Sequence, residues 1–249
     1  MLYLSVMNLI ARPWIVVALL SLLALSPAHA GMTPQEVEMF KDAKAWAEKG
    51  EAEGQLNLGI CYTKGEGVAK DDVQAVAWFR KAAVQGFAPA QTLLGHRYFG
   101  GEGVPKDQVQ AVSWYRKAAE QGNASAQMSL GECYGGGKGV EKDFVQAVNW
   151  YRKASEQGYV LAQYNLGGCY ANGEGVAKDQ IEAYAYWNQG TVEYARKKLA
   201  ALEKQMTAEQ IAAGKKRTKE LKRELEDKIY ENALQKEFAA KIAEKPDGK

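Results

Sequence analysis

The sequence lacks an excess of either charge sign. Its 249 residues contain 32 Lys and Arg against 30 Asp and Glu, which gives a formal net charge of +2 at pH 7. A large excess of one sign would have suggested nucleic acid or an oppositely charged surface as the partner. The composition therefore indicates neither, and we predict no nucleic-acid partner.

Residues for nucleophilic catalysis are also scarce. Apart from His29 in the N-terminal segment, the only histidine is His96, and a Ser-His-Asp or Cys-His site needs an imidazole beside a nucleophile. No serine is followed by a lysine three positions later, so the S-x-x-K nucleophile motif is absent. We expect His96 to be a surface residue, and we predict that the chain is not an enzyme.

Cysteine is the third scarce residue. Cys61, Cys133 and Cys169 are 72 and 36 residues apart. This spacing indicates a repeated unit rather than a metal site, and we predict no metal and no other cofactor. Equivalent positions in stacked helical units lie about 8–10 Å apart, whereas a disulfide needs Cα atoms within about 7 Å. We expect partly buried thiols, with a Cys133–Cys169 bridge as the alternative.

The first 30 residues have the composition of a secretory leader, with one Arg and no acidic residue. The apolar run WIVVALLSLLAL at 14–25 is followed by Pro27 and by AHA at 28–30. This order is typical of a signal peptide cleaved near Ala30, and it predicts a periplasmic or secreted protein without a further membrane span. An uncleaved anchor is the alternative, but the run is shorter than the ~20 residues that span a bilayer.

The rest of the sequence repeats with a period of 36 residues. Four segments align in register: QLNLGICYTKGEGV at 55–68, QTLLGHRYFGGEGV at 91–104, QMSLGECYGGGKGV at 127–140 and QYNLGGCYANGEGV at 163–176. Each is followed by a second segment: AVAWFRKAAVQG at 75–86, AVSWYRKAAEQG at 111–122, AVNWYRKASEQG at 147–158 and the shortened AYAYWNQG at 183–190. A period of this length indicates stacked structural units.

Each unit is predicted to contain two helices. In the first helix, Leu58, Gly59 and Tyr62 share one face, and the glycine would let a neighbouring helix approach closely. The second helix begins after an Asp that is followed three positions later by Gln or Glu, which is a capping-box pattern. The four capping residues are Asp71, Asp107, Asp143 and Asp179.

A tryptophan recurs in the second helices, at Trp78, Trp114 and Trp150, with Trp187 one position out of phase. Because its neighbours on the same helix face are alanines and it follows the period, we expect it to pack in the core. A row of stacking platforms for sugars or bases is the alternative.

The loop between the two helices is rich in glycine. It reads GEGVAKD at 65–71 and at 173–179, GEGVPKD at 101–107 and GKGVEKD at 137–143. A phosphate-binding loop would need G-x-x-x-x-G-K-[ST], or G-x-G-x-x-G after a strand, and neither pattern is present. We therefore predict a helix-turn-helix connection in which glycine supplies backbone angles that other residues resist.

Together these residues give the pattern A-x-A-Q-x-x-L-G-x-x-Y-x-x-G-x-G-V-x-x-D, followed by A-x-x-W-[FY]-x-K-A-A-x-Q-G. The pattern resembles the Sel-one-like repeat, a relative of the tetratricopeptide repeat, and it recurs four times in phase over residues 52–190. Repeat 1 departs from it with Gly54 in place of alanine. The resemblance implies an all-α fold, a right-handed α/α superhelical solenoid of helix-turn-helix repeats with a concave groove that binds peptides or proteins.

The predicted organisation follows from the repeat boundaries. A signal peptide at 1–30 precedes an N-terminal capping helix at 31–51, four repeats occupy 52–87, 88–123, 124–159 and 160–190, and C-terminal capping helices with a charged tail occupy 191–249. The Lys- and Glu-rich stretch 215–245 is expected to form a long, partly solvated helix. A self-associating coiled coil is the alternative for this stretch.

Residues that differ between repeats are the candidates for the binding site. In tetratricopeptide relatives the first helices line the groove, and the resemblance assigns recognition to the positions three before the helix glycine and one after it, with further residues at the rim. Carried over to this sequence, the partner-binding candidates are Leu56, Ile60, Thr92, His96, Phe99, Met128, Glu132, Tyr164 and Asn172, with Gly168 at the equivalent position of repeat 4. Unconstrained surface is the alternative explanation of their variation.

These patterns favour a non-catalytic scaffold or adaptor of the bacterial cell envelope. The mixed apolar and polar candidates suit an amphipathic helix or an extended peptide of a protein partner. Some cysteine-rich members of the family have been assigned penicillin-binding or β-lactamase activity, so a cell-wall-active hydrolase is the alternative. The paired cysteines of those members are absent from this sequence.

Overall fold

A computed structural model describes residues 32–190 and 193–243, and all regular structure in these ranges is α-helical. The all-α prediction is confirmed, and consecutive helix pairs pack as in a repeat solenoid. The predicted signal peptide at 1–30 lies outside the described residues. The eleven helices within these ranges are α1 (Pro34–Glu48), α2 (Ala52–Lys64), α3 (Asp72–Val84), α4 (Ala88–Gly100), α5 (Gln108–Glu120), α6 (Ala124–Gly136), α7 (Phe144–Ser155), α8 (Val160–Asn172), α9 (Gln180–Gln189), α10 (Glu193–Glu203) and α11 (Ala208–Ala243).

The described residues divide into two compact units. Unit 1 contains the residues up to Ala90 together with Glu102–Pro105, and unit 2 contains Gln91–Gly101 and the residues from Lys106 onward. In unit 1, α1 packs on α2, and α2 packs on α3. In unit 2, each of α5 to α8 packs on the next helix, and α9 contacts both α10 and α11.

The helix starts follow the capping signals in the sequence. The Asp71 carboxylate accepts hydrogen bonds from the backbone N–H groups of Val73 and Gln74. Asp179 likewise accepts from two backbone N–H groups, and Asp107 and Asp143 each accept from that of the glutamine three positions later. At these four caps the structure shows the Asp half of the predicted capping box. Both halves form at Thr33 with Glu36 and at Thr207 with Gln210.

Within each repeat, the glycine of the first helix lies directly against an aromatic ring of the second. An ideal Cβ at Gly131 would lie 2.5 Å from the Tyr151 ring, and one at Gly167 would lie 2.5 Å from the Trp187 ring. The same contact joins Gly59 to Phe79 and Gly95 to Tyr115. A larger residue than glycine would separate the two helices, because interiors are close-packed.

The tryptophan prediction needs a correction. The buried rings that contact the helix glycines are 36 residues apart: Phe79, Tyr115, Tyr151 and Trp187. Trp187 is out of phase with the other tryptophans because it occupies this ring position. Trp78, Trp114 and Trp150 are half-buried, and a lysine ammonium lies over each ring at 3.6–4.3 Å from the centroid: Lys81, Lys117 and Lys153. These indoles therefore lie at the edge of the core, where a lysine covers one side of each ring and adds a cation–π contact.

The loop glycines have a structural role. Gly139 has a φ of 72° and lies against the backbone carbonyl of Gln108, the first residue of α5, so a Cβ would clash with main chain. Gly67, Gly103 and Gly175 make the equivalent contact with the backbone carbonyls of Glu36, Asp72 and Phe144, each 31 positions earlier. The glycine-rich loop thus packs on the N-terminal turn of the preceding second helix, as expected for a connection rather than a phosphate site.

Helix α11 is buried at its start and exposed towards its end. Gly214 and Leu221 are buried, with the glycine against the Tyr184 ring, and Arg217 binds Glu182 at 2.7 Å. Beyond Lys228 the exposed large side chains are Ile229, Tyr230, Leu234 and Phe238. This agrees with the long, partly solvated helix that the sequence predicts. Among the described residues, no helix combines the length and the apolar character needed to cross a bilayer.

Candidate functional site

Two adjoining cavities open on the first helices of unit 2. The first has a volume of about 290 Å³ and is lined by His96, Phe99, Tyr115, Ser129, Glu132, Cys133, Lys138, Tyr151 and Asn165. The second, of about 390 Å³, is lined by Gly135, Gly136, Phe144, Tyr151, Tyr164, Asn165, Gly168, Cys169, Asn172, Glu174, Trp187 and Lys198. Because Tyr151 and Asn165 line both, the two cavities form one surface, which we call the first-helix face of unit 2.

The repeat architecture explains which residues reach this face. The first helices α4, α6 and α8 supply the walls, and the ring residues of the second helices, such as Tyr115 and Tyr151, supply the floor. Each ring reaches the floor because the glycine opposite it leaves room. The wall positions face the cavities and are not held by this packing, so they are free to differ between repeats.

His96 is oriented by a neighbour in the floor. Its Nδ1 atom shares a hydrogen bond of 2.8 Å with the Tyr115 hydroxyl, and the two rings meet edge to face with centroids 5.1 Å apart. Burial raises the pKa of the Tyr115 phenol, so this hydroxyl stays neutral at physiological pH. The imidazole is thereby held in one orientation at the rim of the first cavity.

Glu132 and Lys138 place opposite charges in the first cavity. Although Glu132 is exposed as a whole residue, desolvation raises the pKa of its carboxyl, and the positive charge of Lys138 opposes this rise. The Lys138 ammonium lies 5.6 Å from the centroid of the Phe99 ring. A carboxylate that has lost part of its hydration is stabilised by a hydrogen bond from any N–H donor that a partner presents.

Asn165 lies between the two cavities. Its Nδ2 atom donates to the Met128 sulfur at 3.4 Å, and a thioether is a weak acceptor. An asparagine side chain carries both donors and an acceptor, which are the complement of a peptide group. In the second cavity, Asn172 donates to Glu174 at 3.4 Å, so a second amide lies farther along the same helix.

Two of the three cysteines, Cys133 and Cys169, line the first-helix face, and Cys61 lies in unit 1. Cys61, Cys133 and Cys169 are all buried and unpaired, in agreement with the thiols that the spacing predicts. Burial raises the pKa of Cys133 and of Cys169 to about 11. Because the thiolate is the reactive form, these residues act as small apolar side chains rather than as nucleophiles.

The structure separates the predicted binding residues into three groups. His96, Phe99, Glu132, Tyr164 and Asn172 line the first-helix face of unit 2. Ile60 lines a different cavity in unit 1, and Leu56 is half-buried in the same unit. The prediction is corrected at Thr92 and Met128, which are buried and line neither cavity. Met128 belongs to a core cluster of unit 2.

Sequence reasoning missed Asn165 and Lys138, although both carry a signal. Asn165 corresponds to Asn57, Leu93 and Ser129 in the other repeats, so it varies as the predicted positions do. Lys138 replaces the glutamate of the other GEGV loops. The resemblance assigns recognition to other positions of the repeat, so neither residue belongs to the predicted set.

The helix pairs and the open first-helix face define an α/α repeat protein of the kind that presents a binding surface. A family model described as Sel1 repeat matches residues 52–87, 88–123, 124–159 and 160–190, which together exceed half of the chain. The chain belongs to the Sel1 repeat family. Repeats of this family generally serve as non-catalytic scaffolds for protein interactions, and no enzyme family is indicated.

Two solved structures are similar over most of the chain. One is a protective antigen present in uropathogenic Escherichia coli strains that displays an SLR fold, with 34% sequence identity and a TM-score of 0.70, covering 84% of this chain and 44% of the antigen. The chain therefore spans less than half the length of that protein. The other is a Sel1 repeat protein from Oxalobacter formigenes, with 35% identity and a TM-score of 0.62, covering 75% of this chain and 84% of that protein. No curated protein matches the chain.

Proposed function

We propose that the chain is a non-catalytic scaffold of the bacterial cell envelope, periplasmic or secreted, and that the first-helix face of unit 2 binds an extended segment of a partner protein. One observation carries this proposal. Side chains that differ between repeats, such as His96, Glu132 and Asn165, converge on two adjoining cavities, while the side chains that recur with the period fill the core. The envelope location rests on the leader composition of residues 1–30.

The geometry of the face favours an extended segment over a helix. Each cavity, of about 290 or 390 Å³, is large enough to admit a side chain of the partner. Asn165 lies between the cavities, where the peptide group that joins two inserted side chains would meet its amide. Recognition of an extended chain uses main-chain hydrogen bonds for affinity and side-chain pockets for specificity.

Charge and apolar contacts then set the preference for the partner. Glu132 would accept a hydrogen bond from a partner N–H or a cationic side chain in the first cavity, and the rings of Phe99 and Tyr164 supply apolar contact in the first and second cavities. Leu56 and Ile60 remain further candidate contacts in unit 1. The hydrolase alternative is not adopted, since the S-x-x-K motif is absent and no enzyme family is indicated.

Gly168 offers a direct test, because a Cβ at this position would meet nothing within 4 Å while the residue lines the second cavity. We expect the photoreactive residue p-benzoylphenylalanine at Gly168 to crosslink a partner protein in the native host, as identified by mass spectrometry. The same residue at Val109, which is exposed on α5 away from both cavities, is the matched control.

The crosslink should weaken about tenfold when Asn165→Leu or Glu132→Leu is added, because truncating a central contact commonly costs about 1–2 kcal/mol. Circular dichroism of each variant checks that helicity is unchanged. Identical adducts from Gly168 and Val109, or adducts that the two leucine variants leave at full strength, would contradict binding at this face.

A further inference from the structure

A second apolar surface lies in unit 1, between α1 and α2. Met39 and Trp46 of α1 are 44% and 52% exposed, which is high for large apolar side chains. Together with Ala43, Ile60 and Cys61 they line a cavity of about 610 Å³. We call this region the α1 surface.

The period of the repeats explains why this surface is open. Helix α1 is in phase with α3, so Met39, Ala43 and Trp46 correspond to Ala75, Phe79 and Ala82. Those three residues of α3 are fully buried, and α2 covers them, with Gly59 against the Phe79 ring. Within residues 32–190 and 193–243, no helix covers Met39 and Trp46 in this way, and both side chains are exposed. The α1 surface is therefore the kind of face that a helix covers in every repeat.

The side chains of α1 are not those of an ordinary repeat with its first helix removed. The small and large positions are exchanged: Ala43 stands where the repeats have a ring, Met39 stands where they have alanine, and Trp46 stands where they have alanine or, in repeat 4, glycine. A helix packed here would meet a small residue at the centre, flanked by two large ones. Close packing then requires a large apolar side chain over Ala43, whereas the repeats place glycine opposite the ring.

The charge at this surface is negative. Glu38, Asp42 and Glu66 line the cavity with Lys64 as the one cation among its lining residues. In the repeats the positions equivalent to Glu38 and Asp42 include the uncharged Gln74 and Trp78. Surface ion pairs at 3.2–3.3 Å join Glu38 to Lys41 and Glu66 to Lys64, but such exposed pairs are weak and easily exchanged.

We propose that the α1 surface docks a basic amphipathic helix of a partner protein. A large apolar side chain of that helix packs over Ala43 between Met39 and Trp46, and its Lys or Arg residues face Glu38 and Asp42. A second copy of this chain presenting the same surface is disfavoured, because Glu38 and Asp42 would then face their own equivalents. This proposal stands independently of the first-helix face of unit 2, with which it shares no residue.

Two designed peptides test the charge and the apolar contact together. Both are 15-residue, fluorescein-labelled helices with leucine at i, i+3, i+4 and i+7; one has lysine and the other glutamate at the flanking positions. We expect fluorescence anisotropy to show that the purified protein binds the lysine peptide about tenfold more tightly or better. Trp46→Ala should weaken this binding about tenfold. Val73→Ala, at another exposed apolar residue of the same unit that does not line the cavity, should leave it unchanged.

The double variant Glu38→Lys with Asp42→Lys should reverse the preference, so that the glutamate peptide binds more tightly. Equal affinity for the two peptides, or an unchanged affinity in Trp46→Ala, would overturn the proposal. It would also be overturned if light scattering gave a dimer that Trp46→Ala converts to a monomer, since the occupant would then be a second copy. Binding that is seen only after residues 1–31 are removed would identify that segment as the occupant instead.

Discussion

Two adjacent glycines of α8 separate the effect of helix packing from that of helix propensity. An ideal Cβ at Gly167 would lie 2.5 Å from both Cδ1 and Nε1 of Trp187, whereas one at Gly168 would meet nothing within 4 Å. Both residues are inside the same helix. Gly167→Ala and Gly168→Ala therefore make the same chemical change at neighbouring positions, and only the Cβ at position 167 would clash with a ring.

The two substitutions are expected to change the free energy of unfolding in opposite directions. Alanine is favoured over glycine inside a helix by about 0.5–1 kcal/mol, and this gain applies to both variants. At Gly167 the ring must move by about 1 Å to restore an ordinary contact of about 3.5–4 Å, and overpacking of this kind costs about 1–3 kcal/mol. The move also strains the hydrogen bond of 3.0 Å from Trp187 Nε1 to the Tyr164 carbonyl, which contributes about 1 kcal/mol.

We therefore expect Gly168→Ala to be slightly more stable than the parent protein and Gly167→Ala to be less stable. The two variants should differ by about 2–4 kcal/mol, which corresponds to about 4 °C or more in Tm for a chain of this size. Thermal unfolding followed by circular dichroism at 222 nm measures the difference.

A second substitution identifies the ring as the cause. Trp187→Leu removes the clashing atoms, so adding it to Gly167→Ala should cost less than the sum of the two single changes, a coupling that a double-mutant cycle detects. Equal Tm shifts for Gly167→Ala and Gly168→Ala, or additive effects in the cycle, would refute the view that the glycine is required by the approach of the ring.

Two further predictions concern the thiols and α11. The three cysteines should resist iodoacetamide at pH 8 in the native protein and react in urea, because burial raises the pKa of each thiol and alkylation needs the thiolate. Mass spectrometry counts the adducts. Equal rates of alkylation in the native and the unfolded protein would contradict this. Replacing Tyr230, Leu234 and Phe238 by serine should change neither Tm nor the mass found by light scattering, because these side chains are exposed on a solvated helix. If the mass instead fell by half, the helix would form a self-associating coiled coil.

The fold could be predicted in detail because its signals are local and occur four times. Each second helix starts at an Asp whose carboxylate accepts from the first backbone N–H groups, and each first helix is followed by the same glycine-rich loop. Caps and turns depend on a few neighbouring residues. The repetition then distinguishes such a signal from chance, since a single match would have been weak.

Contacts between helices could not be predicted with the same detail. The period places Trp78 and Phe79 side by side, and only the packing shows that Phe79 faces Gly59 while a lysine covers Trp78. A paired set of glutamines was also missed: the Gln121 amide donates to the Gln91 side chain at 2.8 Å, and Gln157 donates to Gln127 at the same distance. Adjacent positions on a helix differ by about 100° in direction, so a small rotation decides which side chain is buried.

The residues that line the two cavities were predicted in part, for a related reason. Variation between repeats identified His96 and Glu132, which line the first cavity. It also selected Met128, which is buried, because a core position varies when its neighbours vary with it. A substitution such as Met128→Glu would therefore bury a charge and unfold the protein before it could report on partner binding.

The contacts that stabilise the fold in unit 2 are separate from the wall positions of the proposed binding face, and this separation leaves the wall positions open to change. The stabilising contacts run from the helix glycine to the ring, from the loop glycine to the preceding helix, and between the paired glutamines. The wall positions of the first-helix face take part in none of these three contacts; at Gly168 an added Cβ would meet no protein atom within 4 Å. Substitutions there can alter the partner while leaving the helix pairs intact, so a loss of binding at Gly168 with unchanged Tm is interpretable as a change in the surface itself.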